Sequence, residues 1–228
     1  GKKPHWRLKL DDDQIQWTDM IHGKIIFNNL SVSDPVVFRS DEMPLFTITS
    51  VVDDADMKVT NIFRGDDHIT NTAAQIKLFK IIGSSVPKFG HFPLMNLKNG
   101  KGLSKRSNSY SIKMCRRDKI FSIVIMNYLQ KIGTSESMEN IEDIKTLISK
   151  FDLAKFSRSS VIFDPTDIYR LNSKYLKSLD LKELNEKFNL DIDEYFWSII
   201  KSNVDSIDEI TDWCNLINNE LNIDNSII

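Results

Sequence analysis

The sequence is poor in the features that mark secreted and membrane proteins. It has two cysteines in 228 residues, and Cys115 and Cys214 stand alone, which is not the pattern of a disulfide framework or a zinc site. The longest apolar run, Phe121–Met126, is interrupted by Ser122 and is far too short to cross a bilayer. The N-terminal residues include no apolar segment typical of a secretory signal. We therefore expect a cytoplasmic protein that has no membrane partner and binds no metal.

The chain also lacks an excess of either charge, with 30 Lys and Arg residues against 32 Asp and Glu and a net charge of −2. The charges are nevertheless unevenly distributed. Residues 101–119 hold seven basic side chains and one acidic one, Asp118, whereas the charged residues after Asp180 are mostly acidic. A basic segment attracts phosphate groups such as those of nucleic acids. We interpret the acidic region as a solvated surface, and that interpretation stays open for the basic segment.

Hydrophobic periodicity indicates an α/β region followed by helices. Over residues 1–45 it predicts short strands at Trp6–Leu10, Ile15–Trp17, Lys24–Phe27 and Val36–Arg39. Between residues 46 and 106 it predicts a strand at Phe46–Thr49 and then a strand–helix–strand unit at Val59–Phe63, Ile69–Ile82 and Phe89–Met95. Gly83 and Pro87 mark the end of the helix. Such a unit implies a parallel sheet with a right-handed crossover.

Beyond Arg106 the pattern predicts helices alone. Asp164 and Pro165 are typical of a helix N-cap and of the first helical position. The predicted helices cover Ile120–Ile132, Ile141–Phe151, Asp164–Tyr175, Leu181–Phe188, Glu194–Lys201 and Ile207–Leu221.

Three sequence features fall where open parallel sheets bind ligands, beyond the carboxyl ends of the strands. The segment Arg64–His68 joins a strand to a helix, and the Arg64 guanidinium is a fork of donors suited to a carboxylate or a phosphate. Asp66 and Asp67 in this segment are expected either to take part in the site or to cap the helix that follows. The loop Gly102–Arg106 carries a lysine that could stabilise the charge on a departing phosphate. The third feature is the end of the Phe46–Ser50 segment.

An ordered series of motifs runs from the first half of the chain to about residue 180. It comprises Val51–Asp54, Thr60–Thr72, Gln75, His91–Leu94, Leu103–Arg106, Asn127–Leu129, Phe151–Leu153, Phe163–Asp164 and Leu171–Tyr175. In order and spacing, this series resembles the bacterial glutamyl-tRNA synthetases, which are class I aminoacyl-tRNA synthetases.

The resemblance implies a fold and an order of domains. Residues 1–45 would be the end of an acceptor-binding insertion, and residues 46–106 the second half of the nucleotide-binding catalytic domain. Residues 107–180 would form a helical stem-contact domain, and residues 181–228 the start of a helical anticodon-binding domain. The implied fold class is α/β, with the second half of a Rossmann-like parallel sheet followed by an all-helical region.

The resemblance also implies a glutamate–tRNA ligase. In this family glutamate attacks ATP, which is bound with Mg²⁺, pyrophosphate leaves, and the glutamyl group passes to tRNA, which must be bound for activation to occur. The implied glutamate-binding residues are Phe46, Ser50 and Arg64, with Arg64 on the substrate's side-chain carboxylate. The implied ATP-binding residues are Asp67, His68, Leu94, Met95, Leu103 and Lys105. Lys105 and Ser104, in the signature loop, are the implied catalytic residues. The basic residues Arg106, Lys113, Arg116 and Arg117 would then contact tRNA phosphates.

Three departures from the family pattern affect these expectations. Phe46 stands where the family often has tyrosine, and Gly102 replaces the first lysine of the signature loop, which leaves Lys105 with more of the charge stabilisation. The family's His-Ile-Gly-His signature does not occur in the 228 residues. We therefore expect a fragment that begins inside the acceptor-end insertion and does not form the adenylate by itself. We also expect it to be monomeric and to hold no zinc.

Two alternatives stay open. A non-discriminating synthetase would also charge the tRNA for glutamine, and the anticodon-binding residues that decide this are mostly absent from the chain. A non-catalytic RNA-binding paralogue would account for the missing signature and the missing loop lysine. A relative that glutamylates a modified tRNA base is disfavoured, because it lacks the helical extension that contains Phe151–Tyr175.

Overall fold

The computed structural model describes residues 4–10, 14–28, 33–98, 100 and 110–218. The chain falls into two compact units, the first made of residues 1–95 with 152–161 and the second of residues 96–151 with 162–228. Among the helices in the described ranges, none combines the length and the apolarity that spanning a bilayer requires.

The first half of the chain contains short paired strands and two helices. In chain order these are β1 (Trp6–Arg7), β2 (Ile15–Asp19), β3 (Gly23–Phe27), β4 (Val36–Phe38), α1 (Phe46–Asp56), β5 (Asn61–Gly65), a 3₁₀ turn (Asp66–His68), α2 (Ile69–Ile81), β6 (Lys88–Phe92) and β7 (Met95–Leu97). β1 pairs with β4 and β2 with β3, both antiparallel, whereas β5 and β6 are parallel.

The strand predicted at Phe46–Thr49 is wrong, because these residues begin helix α1. The alternation of aromatic and β-branched residues is typical of a strand, but burial follows helical spacing. Thr47 and Val51, four residues apart, are the buried positions of the helix. Phe46 and Ser50 therefore lie in the first turns of a helix rather than at the end of a strand.

The predicted parallel strand–helix–strand unit is confirmed. β5 and β6 pair with Arg64 opposite His91, and α2 connects them and ends one residue before the predicted end. Gly83 follows this helix with a φ of +71°, a left-handed conformation that glycine adopts without steric cost. The strand predicted at Phe89–Met95 is interrupted at Pro93, which has no N–H to donate to a ladder.

A small apolar core holds α1, α2 and β6 together. Its fully buried members are Val51, Ile76, Leu78, Phe79 and Phe89. Each such side chain contributes about 1.5–3 kcal/mol when it is removed from water. Because Val51 belongs to this core, the next-door residue Ser50 is held at a fixed place beside α2.

Between residues 110 and 218 the described structure is helical except for one short strand. It contains α3 (Ile112–Arg117), α4 (Ser122–Lys131), α5 (Ile144–Lys150), β8 (Val161–Phe163), α6 (Pro165–Ser178), α7 (Leu181–Phe188), α8 (Glu194–Ile200) and α9 (Ile207–Asn218), together with a 3₁₀ turn at Leu153–Lys155. The prediction of helices alone beyond Arg106 is wrong at β8, which pairs with β7. A strand of three residues is too short to show a two-residue period.

Several residues of the motifs quoted from the second half of the chain hold the helices together. The Asp164 carboxylate accepts a hydrogen bond at the start of α6, as the predicted N-cap requires. Asn172 Oδ1 accepts from the backbone N–H of Phe121 at 2.9 Å. Asn127 Oδ1 accepts from the backbone N–H of Glu142 at 2.9 Å. These side chains satisfy backbone groups that helix ends and loops leave without partners, so they serve the fold.

Candidate functional site

Arg64 lies near the end of β5, where the chain turns towards α2. Its Nη2 donates to Gln75 Oε1 at 2.6 Å and also to Thr72 Oγ1. The guanidinium carbon lies 5.2 Å from the centre of the Phe89 ring, which is within the range of a cation–π contact. Arg64 Nε is buried and has no hydrogen-bond partner among the described residues. The guanidinium is thus held on one side and has unused donors for a further acceptor.

The charge of Arg64 is only partly balanced by its surroundings. Burial lowers the pKa of Arg64 to about 10, while the carboxylates of Asp54 and Asp67 oppose that shift. The side chain therefore remains positively charged near pH 7. Burial also raises the pKa of Asp54. A half-buried cation of this kind favours an anionic ligand, because a charge-assisted pair compensates for the water that was lost.

The other two predicted glutamate-binding residues are linked to Arg64 through Gln75. Gln75 Nε2 donates to Ser50 Oγ at 2.5 Å, and Ser50 Oγ donates to the backbone oxygen of Phe46 at 2.7 Å. Phe46 is 54% exposed, and its ring lies 5.7 Å from the ring of His68. The structure thus brings Phe46, Ser50 and Arg64 to one place, with His68 beside them.

Two of the predicted ATP-binding residues, Asp67 and Leu94, lie against Gly65, and a third, His68, lies beside Asp67. A Cβ atom at Gly65 would lie 2.6 Å from Asp67 Oδ1 and 3.0 Å from Leu94 Cδ2, so the absence of a side chain lets these groups come close. Asp67 Oδ2 lies 3.9 Å from His68 Nε2, and His68 Nδ1 is buried without a partner among the described residues. Met95, the fourth, begins β7 directly after Leu94.

The remaining predicted site residues lie elsewhere. Leu103, Ser104, Lys105 and Arg106 are outside the described residues. Lys113, Arg116 and Arg117 lie on α3 in the second unit and are exposed. Arg117 Nε forms a 2.7 Å ion pair with Asp118 Oδ1.

Four buried polar side chains to which the sequence interpretation gave no role are connected to Arg64 by hydrogen bonds, directly or in sequence. Thr72 and Gln75 contact Arg64, His91 contacts Thr72, and Asp19 contacts His91, and each of the four is at most 2% exposed. Burying polar groups is favourable only when they are hydrogen-bonded. Three of them occur in the quoted motifs, and the polar His91 in the apolar sequence Phe89–Leu94 was a usable signal. Asp19 gave none, because its partner lies 72 residues away in the chain.

Asp19 and His91 form the best-connected pair of this group. Asp19 Oδ2 lies 2.6 Å from His91 Nδ1, and Asp19 Oδ1 accepts from the backbone N–H groups of Ile21 and His22 at 2.9 and 3.0 Å. Burial alone would raise the pKa of Asp19, but the hydrogen bonds from His91 and the backbone outweigh it and hold the pKa well below its usual value. Asp19 is therefore ionised, and its pair with His91 fixes the turn after β2 against β6.

Replacing Asp19 by asparagine is expected to lower the free energy of unfolding at pH 7 by roughly 3 kcal/mol, because a buried charged partner of His91 is lost. Since the pKa of Asp19 is lowered in the folded state, its contribution is present above the unfolded pKa of about 3.9 and is lost as the pH falls below it. Urea denaturation of both proteins should show their difference narrowing below about pH 4. Asp56→Asn, at an exposed carboxylate, is the control. If the two proteins differ in free energy of unfolding by the same amount at pH 7 and below about pH 4, Asp19 is not the ionised partner of His91.

The described residues include no group of three or more His, Cys, Asp or Glu side chains arranged to hold a metal ion.

Comparison with known proteins places the chain in one family. Residues 1–170 match the family described as tRNA synthetases class I (E and Q), catalytic domain. The chain is 38% identical over 218 residues to a glutamate–tRNA ligase of Azospirillum brasilense, covering 93% of this chain and 49% of that protein. It is 40% identical over 239 residues to glutamate–tRNA ligase 2 of Bartonella tribocorum, covering 98% of this chain and 52% of the relative.

A similar fold is found among solved structures. A glutamate tRNA ligase from Elizabethkingia meningosepticum, crystallised in complex with its amino acid, superposes with a TM-score of 0.73 at 22% identity, over 90% of this chain and 47% of that one. A glutamate–tRNA synthetase from Elizabethkingia anophelis superposes with a TM-score of 0.72 at 22% identity, over 88% of this chain and 47% of that one. The chain therefore spans about half the length of the relatives that it matches.

Proposed function

The chain belongs to the family of class I tRNA synthetases for glutamate and glutamine, and from this membership we propose that it is part of a glutamate–tRNA ligase. The reaction is the ATP-dependent activation of glutamate and its transfer to tRNA. The observation that supports this proposal most strongly is the half-buried Arg64 guanidinium, held by Thr72 and Gln75 beside Phe46 and Ser50.

Arg64 would bind the side-chain carboxylate of glutamate. Two parallel N–H donors match the two oxygens of a carboxylate, and the pair is stronger than a neutral hydrogen bond. Glutamine offers an uncharged amide, which would leave the buried guanidinium without a charge partner. A site of this kind rejects the wrong substrate because its own polar groups would stay unpaired.

ATP would bind beside the glutamate, against the groups around Gly65. We assign Asp67 and His68 to its ribose and adenine, and Leu94 and Met95 to backbone and apolar contacts with the adenine. ATP carries Mg²⁺ as part of the substrate. Lys105, with Ser104 and Leu103 in the same loop, would stabilise the pyrophosphate as it leaves.

The domain assignments follow the same proposal. Residues 1–45 would belong to the acceptor-binding insertion, 46–106 to the catalytic domain, 107–180 to the stem-contact domain and 181–228 to the anticodon-binding domain. The enzyme would work in the cytoplasm as a monomer.

The test of the proposed function is ATP–pyrophosphate exchange by the whole gene product with glutamate and tRNA. We expect exchange that requires both, and little with glutamine in place of glutamate. The 228-residue chain by itself should give none, because it contains no His-x-Gly-His. If the whole gene product binds tRNA but shows no exchange with either amino acid, it is an RNA-binding paralogue and the proposal is wrong.

We expect α3 to contact tRNA phosphates through Lys113 and Arg116. Both are exposed, and neither forms an ion pair with a described residue, whereas Arg117 is paired with Asp118. Changing both residues to Glu should weaken tRNA binding about tenfold. The slope of log Kd against log salt concentration should fall by about 1.5, because each lost phosphate contact lowers that slope by about 0.7–0.9. Binding is measured by fluorescence anisotropy between 50 and 200 mM salt, with Lys182→Glu on α7 as the control. An unchanged slope would remove these residues from the interface.

A further inference from the structure

Thr72 lies at the junction of several hydrogen bonds around Arg64. Its Oγ1 accepts from Arg64 Nη2, lies 2.8 Å from His91 Nε2, and lies 3.0 Å from the backbone oxygen of His68. Thr72 and His91 are completely buried. Because bulk solvent does not reach these groups, each hydrogen bond fixes the direction of the next one.

The ionised Asp19 sets the direction of this chain of hydrogen bonds. A carboxylate only accepts, so the proton on His91 lies on Nδ1, which donates to Asp19 Oδ2 at 2.6 Å. The Thr72 hydroxyl has one proton, and both His91 Nε2 and the backbone oxygen of His68 lie within hydrogen-bond distance of Oγ1. The lone pairs of Thr72 Oγ1 are left free to accept from Arg64. Because Thr72 Oγ1 is itself held by hydrogen bonds, it keeps the Arg64 guanidinium in one orientation.

We propose that Thr72, His91 and Asp19 are positioning residues that orient the Arg64 guanidinium for a substrate carboxylate. This inference rests on the proposed function, because it concerns the same pocket. Arginine has a long and flexible side chain, and a misdirected fork loses the second hydrogen bond to the carboxylate. The three residues would not touch glutamate, and they would act on affinity for glutamate and on its discrimination from glutamine.

The test uses Thr72→Val in the whole gene product, because valine keeps the shape and removes the hydroxyl. We expect the KM for glutamate to rise about tenfold, the effect of losing one hydrogen bond to a charged group. kcat at saturating glutamate should stay within about twofold, and the preference for glutamate over glutamine should fall. Thr72→Ser, which keeps the hydroxyl, should restore the KM. Thr70→Val, the same change at an exposed position of α2, should leave both constants unchanged.

Two other results would overturn the inference. One is an unchanged KM for glutamate in Thr72→Val. The other is a lower kcat with an unchanged KM that Thr72→Ser does not restore, because such a result indicates that Thr72 has a structural role only. If Thr72→Val does not fold, Thr72→Cys replaces it, since a thiol is a weaker acceptor, and an unchanged KM there would equally overturn the inference. Arg64→Lys separates the two proposals. If Arg64→Lys raises the KM but the Thr72 variants do not, positioning is wrong and the proposed function stands. If Arg64→Lys has no effect, Arg64 does not bind the substrate and the positioning inference fails with it. The proposed function itself fails if the unaltered gene product gives no exchange.

Discussion

Replacing Arg64 by lysine is expected to lower kcat/KM for glutamate in the whole gene product by about 10²- to 10³-fold. Lysine keeps the positive charge but offers a single ammonium, which cannot reach Thr72, Gln75 and both oxygens of a carboxylate together. Losing part of a desolvated, charge-assisted pair costs about 3–4 kcal/mol, and each 1.4 kcal/mol is a factor of ten. The measurement is steady-state tRNA glutamylation with glutamate as the varied substrate.

The Arg64 experiment has a matched control in the same unit. Arg158 is exposed, and Arg158→Lys should keep the normal kcat/KM. The Arg64 variant should also discriminate less between glutamate and glutamine, because a mobile ammonium is less selective than a fixed fork. If Arg64→Lys loses activity equally at all glutamate concentrations while its KM is normal, Arg64 does not bind the substrate.

Replacing Lys105 by alanine is expected to lower the rate of ATP–pyrophosphate exchange by 10²-fold or more, the usual effect of removing one preorganised group that stabilises developing charge. The expectation follows from the sequence, in which Gly102 replaces the first lysine of the loop that this segment resembles. We therefore expect Lys105 to carry a larger share of the stabilisation of pyrophosphate. Exchange is measured with saturating glutamate and tRNA.

Lys80→Ala, at an exposed position on α2, serves as the control for Lys105→Ala. It removes one positive charge from the surface and should leave the exchange rate nearly normal. An exchange rate in Lys105→Ala that matches this control would remove Lys105 from the reaction.

The sequence predicted the elements whose ends are marked by particular residues. The end of helix α2 is predicted within one residue because Gly83 and Pro87 stop it, and the start of α6 is predicted because Asp164 and Pro165 begin it. Helix α1 was missed because its first residues have the alternation of a strand, and the four-residue spacing of Thr47 and Val51 became visible only in the fold. Local propensity is a weak signal when packing against neighbouring elements decides the outcome.

The sequence also predicted Arg64, Phe46 and Ser50 as neighbours, although it gave the wrong element for the last two. It could not predict the buried polar network that reaches Arg64 through Thr72. Asp19 and His91 come together only because the turn after β2 meets β6, a contact between residues 72 positions apart. A buried polar network depends on such distant contacts, and no local pattern encodes them.

The role of Arg64 is tested most directly by a crystal structure of the whole gene product soaked with glutamate. We predict that the side-chain carboxylate of glutamate lies on the Arg64 guanidinium, with N–O distances of about 2.7–2.9 Å, beside Phe46 and Ser50. Glutamate bound away from Arg64, or bound to it through the α-carboxylate, would contradict this role.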